Sequence, residues 1–210
     1  MKRLILFKYY NLLLTDIYNR TLKKNGFTPL GVCWNSSKSQ YNRFQILLKL
    51  LEKFSFQHSI KLADVGCGYG EFLVFLRKNR IHYSYEGYDI NKKMIEFCKK
   101  KFQKDYFYIN SQPLNSCDVS VMSGTYNYAV TDDLNLWEEY IINNLLKCFK
   151  KSNLGILFNL QFNTHRLIKN NIYYTESSFM MRLLKKHFNY VEKYISAKSK
   201  NDIFFIIYKN

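Results

Sequence analysis

Residues 60–72, "IKLADVGCGYGEF", constrain the fold more than any other stretch of the 210-residue chain. A short apolar run, long enough for a buried strand, ends at Val65. Glycines follow at alternate positions 66, 68 and 70, and a helical period then puts Phe72, Phe75 and Leu76 on one face. Strand, glycine loop and helix make one βα unit. The alternation continues, with strands expected in "HYSYEGYD" (82–89), "DYFYIN" (105–110), "DVSVMSG" (118–124) and "NLGILFNL" (153–160). Helices are expected in residues 91–102, 132–151 and 176–188, the first with Asn91 as N-cap. The closing segments "YVEKYIS" (190–196) and "DIFFIIYK" (202–209) read as a hairpin. Alternating β and α elements imply a parallel sheet with helices on both faces, so the expectation is an α/β fold with a mostly parallel seven-stranded sheet and a C-terminal antiparallel hairpin. Residues 1–55 lack strand alternation and are expected to form a helical N-terminal cap. Residues 56–210 would then carry the glycine loop, the two parts forming one compact unit.

The loop narrows the ligand. In open α/β sheets ligands sit beyond the carboxyl ends of the strands, and glycines there permit positive φ and close backbone approach. The dinucleotide fingerprint G-x-G-x-x-G needs its third glycine at the sixth position, where this chain has Glu71, an acid that would repel a pyrophosphate. A P-loop needs G-K-[ST], which does not follow. A nucleoside ligand without a polyphosphate tail remains. Asp89, at the end of the second expected strand, is placed to accept both ribose hydroxyl protons.

"DVGCGYG" with Asp89 resembles the class I S-adenosylmethionine-dependent methyltransferases, whose loop has the form D/E-x-G-x-G-x-G. The resemblance extends to "GVCWNSSKSQYNRFQILL" (31–48), "SGTYN" (123–127) and the ending "NDIFFIIYK", an order of parts similar to a group of small bacterial methyltransferases. It implies a Rossmann-like domain with S-adenosylmethionine as cofactor; no metal is expected, because no Cys/His cluster has metal-ligand spacing. Asp64 opens the motif. Gly66, Cys67 and Gly68 would pack against the amino-acid end of the cofactor, and Asp89 would hold the ribose. Ile90 and Met94 would flank the adenine, and Asn110 and Ser111 would face its edge, Ser111 standing where the family usually has an acid. Ser123 and Gly124 would line the sulfonium end. Gln40 and Arg43 lie in the matching amino-terminal segment, with Arg43 expected to pair with the cofactor carboxylate.

Methyl transfer relies on holding the acceptor in line with the methyl group, and a base is needed only for a hydroxyl or protonated amine. Tyr126, Asn127 and Tyr128 near the strand-four exit, and His165 beyond strand five, are the expected groups at the acceptor. The N/D-P-P-[YFW] motif of exocyclic base-amine methylases is absent, with "SGTYN" in its place. The net charge of +16 is concentrated at the flanks. Residues 1–60 carry ten Lys/Arg against two Asp/Glu, and residues 145–210 carry twelve against three. Such flanks attract anions, although A/T-rich codon usage also raises lysine content. The expected acceptor is a small anionic metabolite or sugar-nucleotide precursor methylated on O or N, with Arg166 and Lys169 as rim cations. The alternatives are a nucleic-acid (RNA) methyltransferase and a non-catalytic partner subunit retaining the fold. Five scattered cysteines without metal-ligand spacing fit a reducing, cytoplasmic setting, and Lys8, Asn11 and Asp16 interrupt the N-terminal apolar run that a signal peptide or membrane span would need.

Overall fold

The computed structural model describes residues 2–34, 36–54, 59–103 and 106–209. Strand β1 (Lys61–Val65) pairs in parallel with β2 (Ser84–Asp89) on one side and β4 (Cys117–Met122) on the other. β3 (Phe107–Ile109) extends the sheet beyond β2, and β5 (Ser152–Phe162) lies beside β4. β9 (Ser199–Tyr208) runs antiparallel to β5 and pairs with β8 (Tyr190–Ser196), the expected terminal hairpin. These seven strands are the expected sheet.

Two more strands enlarge it. β6 (Leu167–Lys169) and β7 (Ile172–Thr175) form a hairpin, and β7 pairs with Gln161 and Phe162 at the end of β5. Its two-residue turn, Asn170-Asn171, has positive φ at both positions (52° and 61°), the geometry of a tight hairpin turn. The expected strand at 105–110 shortens to β3, with Asp105 outside the described residues; so is the expected boundary at 55/56.

Among the described residues six α-helices cover the sheet: α1 (Lys2–Asn25), α2 (Ser37–Leu51), α3 (Glu71–Lys78), α4 (Lys92–Phe102), α5 (Leu134–Lys151) and α6 (Ser177–Lys185). Their packing follows from the two-residue period of the strands. On β9, Ile203, Phe205 and Ile207 join one core with Phe7 and Leu14 of α1, Trp137 and Ile141 of α5, and Met180 of α6. Phe204 and Ile206 join the opposite core with Phe44 and Leu47 of α2, Phe72 of α3 and Ile95 of α4. The two amino-terminal helices are therefore divided between the faces, and each completes a core layer. Asn91 caps α4 as expected, and Ser36, Asp133 and Glu176 likewise accept from backbone N–H groups at the starts of α2, α5 and α6. No described helix is long and apolar enough to cross a membrane.

Candidate active site

The carboxyl ends of β1, β2 and β4 open onto a cavity lined by Gly66, Gly68, Asp89, Ser123 and Gly124, the place where ligands bind in open α/β sheets. Sheet register brings the glycine loop and Asp89 together, since β1 and β2 run side by side with Val65 opposite Tyr88. One Asp89 oxygen accepts from the Gly68 N–H at 2.9 Å and the other from the Asn91 N–H at 2.8 Å. Each oxygen has further lone-pair capacity, which suits a pair of hydroxyl donors. Burial pushes the Asp89 carboxyl up, and these backbone N–H bonds work against that shift.

Gly66 has φ +79°, and a Cβ there would lie 2.6 Å from the Thr125 side chain, so backbone conformation and space both require glycine. Thr125 in turn donates to the Val65 carbonyl at 2.8 Å, tying the loop after β4 to the end of β1. Asp64, beneath the loop, accepts from the Tyr85 hydroxyl at 2.6 Å. Burial pushes its carboxyl up to about 7, opposed by that hydrogen bond and reinforced by the Asp89 charge.

The sequence candidates divide among three spaces. Gly66, Gly68, Asp89, Ile90, Met94, Asn110, Ser111, Ser123, Gly124 and Tyr126 line the main cavity. Gln40, Asp64 and Cys67 line a smaller one that shares Gly66, Gly68, Ser123, Val32 and Trp34 with it. Gln40 accepts from Tyr69, and Glu71 accepts from Tyr41 and pairs with Lys101 at 3.9 Å. The third space is a wide basin bordered by Lys38, Arg43, Lys169, Lys198, Lys200 and Asp202.

Four expectations acquire different surroundings. Arg43 makes its ion pair with Asp202, Nε to Oδ2 at 2.6 Å, and borders the basin, because β9 brings an acid against α2. His165 is exposed in the loop before β6 and lines none of these three spaces. Asn127 lines none either: its Oδ1 accepts from the Gln161 N–H at 3.0 Å, fastening the loop after β4 to β5. Arg166 does not line the basin: it pairs with Glu138 at 2.8 Å over the Phe179 ring.

Tyr126 is buried, and its hydroxyl has no hydrogen-bond partner among the described residues, as is also true of the Ser123 hydroxyl. Burial raises the Tyr126 phenol well above its usual pKa, so it remains a neutral donor. The cavity lining also includes residues that no sequence motif singles out, among them Trp34, Tyr18, Tyr140 and Asn144. Of these, Trp34 borders all three spaces. The one signal for it was its position in "GVCWN"; the others come from helices whose pocket-facing side is set only by packing.

A cavity lined by loop glycines, an acid with spare acceptor capacity and apolar Ile90 and Met94 fits S-adenosylmethionine, which carries ribose, adenine and an amino-acid tail without phosphates. The sequence profile of the methyltransferase domain family matches residues 62–152. Among solved structures, a SAM-dependent methyltransferase from Leishmania major has a TM-score of 0.68 at 14% identity, covering 91% of this chain and 82% of its own. Magnesium protoporphyrin IX methyltransferase from Synechocystis, with bound SAM, has a TM-score of 0.59 at 13% identity, covering 100% and 98%. DesVI from Streptomyces venezuelae has a TM-score of 0.63 at 10% identity, covering 81% and 92%. At these identities the likeness is one of fold. A search of curated protein sequences found no match. Residues 62–152 thus match the methyltransferase domain family, and the chain has the fold of S-adenosylmethionine-dependent methyltransferases, in agreement with its glycine loop and Asp89.

Proposed function

We propose that the chain methylates an O or N atom of a small anionic acceptor that reaches the cofactor from the basic basin. The observation that carries this reading is the adjacency of the two spaces. Trp34 borders both the main cavity and the basin, and the basin concentrates Lys38, Lys169, Lys198 and Lys200 around the Arg43–Asp202 pair. Such a concave cationic surface focuses field lines and raises the local concentration of anions.

The cofactor, when bound, supplies a sulfonium methyl group. In this reading Asp89 accepts the ribose hydroxyls, Ile90 and Met94 enclose the adenine, and Asn110 and Ser111 meet its edge. Gly66, Cys67 and Gly68, with Gln40 and Asp64 nearby, hold the amino-acid end. Ser123 and Gly124 lie toward the sulfonium. Tyr126, whose hydroxyl is buried and unpartnered among the described residues, is the proposed donor to the acceptor or cofactor. Ordering of the acceptor against this surface supplies much of the catalysis.

Labelled-methyl transfer to a panel of small phosphates and carboxylates, with RNA alongside, tests the reading. A small acceptor is expected to become labelled with KM rising only weakly between low and moderate salt. Steeply salt-dependent labelling of RNA, which releases many counterions on binding, would transfer the assignment to a polyanion.

A further inference from the structure

Five contacts close a ring between the basin and the cofactor cavity. The Arg43 guanidinium lies over the Trp34 indole, 4.2 Å from its centroid, and its Nε donates to Asp202 at 2.6 Å. Asp202 also accepts from Ser199 and, through Oδ1, from Asn159 Nδ2 at 2.9 Å. The Asn159 Oδ1 accepts from the Gly124 N–H at 2.8 Å. Gly124 then returns to Trp34: a Cβ added at Gly124 would lie 3.0 Å from indole Cζ2, so the backbone and ring are in close contact.

The ring fixes Arg43 without using its whole fork. Arg43 is 8% exposed and Asp202 1%, which restricts the guanidinium to one orientation. Its Nε is committed to Asp202, one face lies on Trp34, and the two Nη groups have no hydrogen-bond partner among the described residues. Arg43 borders the basin, whereas neither the main cavity nor the smaller one includes it. A guanidinium held by its Nε and presenting its Nη edge has the planar geometry that suits bidentate oxyanions, and little side-chain entropy is left to lose on binding.

We infer that Arg43 is the receptor for a compact oxyanion, a phosphate or carboxylate, of the methyl acceptor, with Trp34 as the wall that holds this group beside the cofactor cavity. The inference rests on the acceptor reading above and sharpens it. The acceptor bears its oxyanion within a short reach of the methylated atom, since one indole separates the two spaces. The lysines attract the acceptor, and Arg43 sets its register.

Trp34 also provides the test. The chain has two tryptophans, and Trp137 of α5 is fully buried in the core, so a change in emission on filling the basin belongs to Trp34. The full chain is titrated at constant ionic strength with sodium phosphate, sodium acetate or sodium chloride, with Trp34→Phe identifying the reporting residue. A saturable change is expected with phosphate or acetate but not chloride, and the stronger of the two identifies the oxyanion. Arg43→Lys, which keeps a cation beside Asp202, is expected to weaken that anion at least tenfold and to leave S-adenosylmethionine affinity by calorimetry within about twofold. The double variant Arg43→Leu/Asp202→Leu removes both charges together and provides a second protein without the fork. Identical responses to all three salts, or unchanged anion affinity in both variants, would overturn the inference. A loss of cofactor affinity equal to the loss of anion affinity would also overturn it, by assigning Arg43 to the cofactor. Normal cofactor binding without a saturable anion response would refute the fork while leaving the methyltransferase assignment intact.

Discussion

Two carboxylates lie near the carboxyl ends of adjacent strands, and their environments give them different work. Asp89 meets backbone N–H groups at the cavity wall, whereas Asp64 lies under the loop with Tyr85 as its hydroxyl partner. Asp64 shifts from 3.8 to about 7 on folding. Between those values the folded state binds more protons than the unfolded state, so this contribution to stability is fully present below about 3.8. It declines as pH rises and is lost above about 7, a difference on the order of 4 kcal/mol. Asp64→Asn removes the titration while keeping an acceptor for Tyr85. Melting curves from pH 4 to 8 should therefore show the variant gaining on the wild type as pH rises from 4 to about 7 and levelling off above it; parallel curves would contradict the burial argument. The loop and Asp89 were legible in the sequence because strand, glycines and acid follow a local order that register then aligns. The Arg43–Asp202 pair was not, because its partners are 159 residues apart and only the placement of β9 brings them together.

Among the elements, the β6–β7 hairpin was the principal omission. Its strands have three and four residues, too few for a two-residue period to stand out from a polar stretch. Asn170-Asn171 was the available signal, because asparagine tolerates left-handed conformations and favours this turn. The hairpin carries Lys169 to the basin, so in the proposed reading its turn supports acceptor binding. Replacing both asparagines with alanine should cost roughly 1–2 kcal/mol per left-handed residue in hairpin stability. Steady-state kinetics should show a raised KM for the acceptor, with cofactor affinity near that of the wild type. An unchanged acceptor KM would separate the hairpin from the acceptor site. Helices α4 and α5 and the terminal hairpin lie within a few residues of their expected bounds, since apolar periods sustained over several turns or a full strand leave little ambiguity.

At the scale of the whole molecule, the amino-terminal segment does more than cover the site. α1 completes one core layer and α2 the other, while the turn between them delivers Val32 and Trp34 to the cavities. The expectation of a helical cap captured the secondary structure; division between two faces depends on which apolar surfaces the sheet leaves open, which no local pattern records. The positive charge is likewise divided. Some lysines surround the basin, and others form ordinary surface pairs such as Lys53–Glu192, worth little individually. The account as a whole depends on Asp89 binding the cofactor in the cavity above β1 and β2. Calorimetric titration with S-adenosylmethionine tests this most directly, using wild type and Asp89→Ala with melting temperatures measured alongside. We predict one site per chain in the wild type and affinity lower by about 1.5–3 kcal/mol, roughly 10- to 100-fold, in a variant that remains folded. Absence of binding by the wild type, or equal affinity in the two folded proteins, would contradict it.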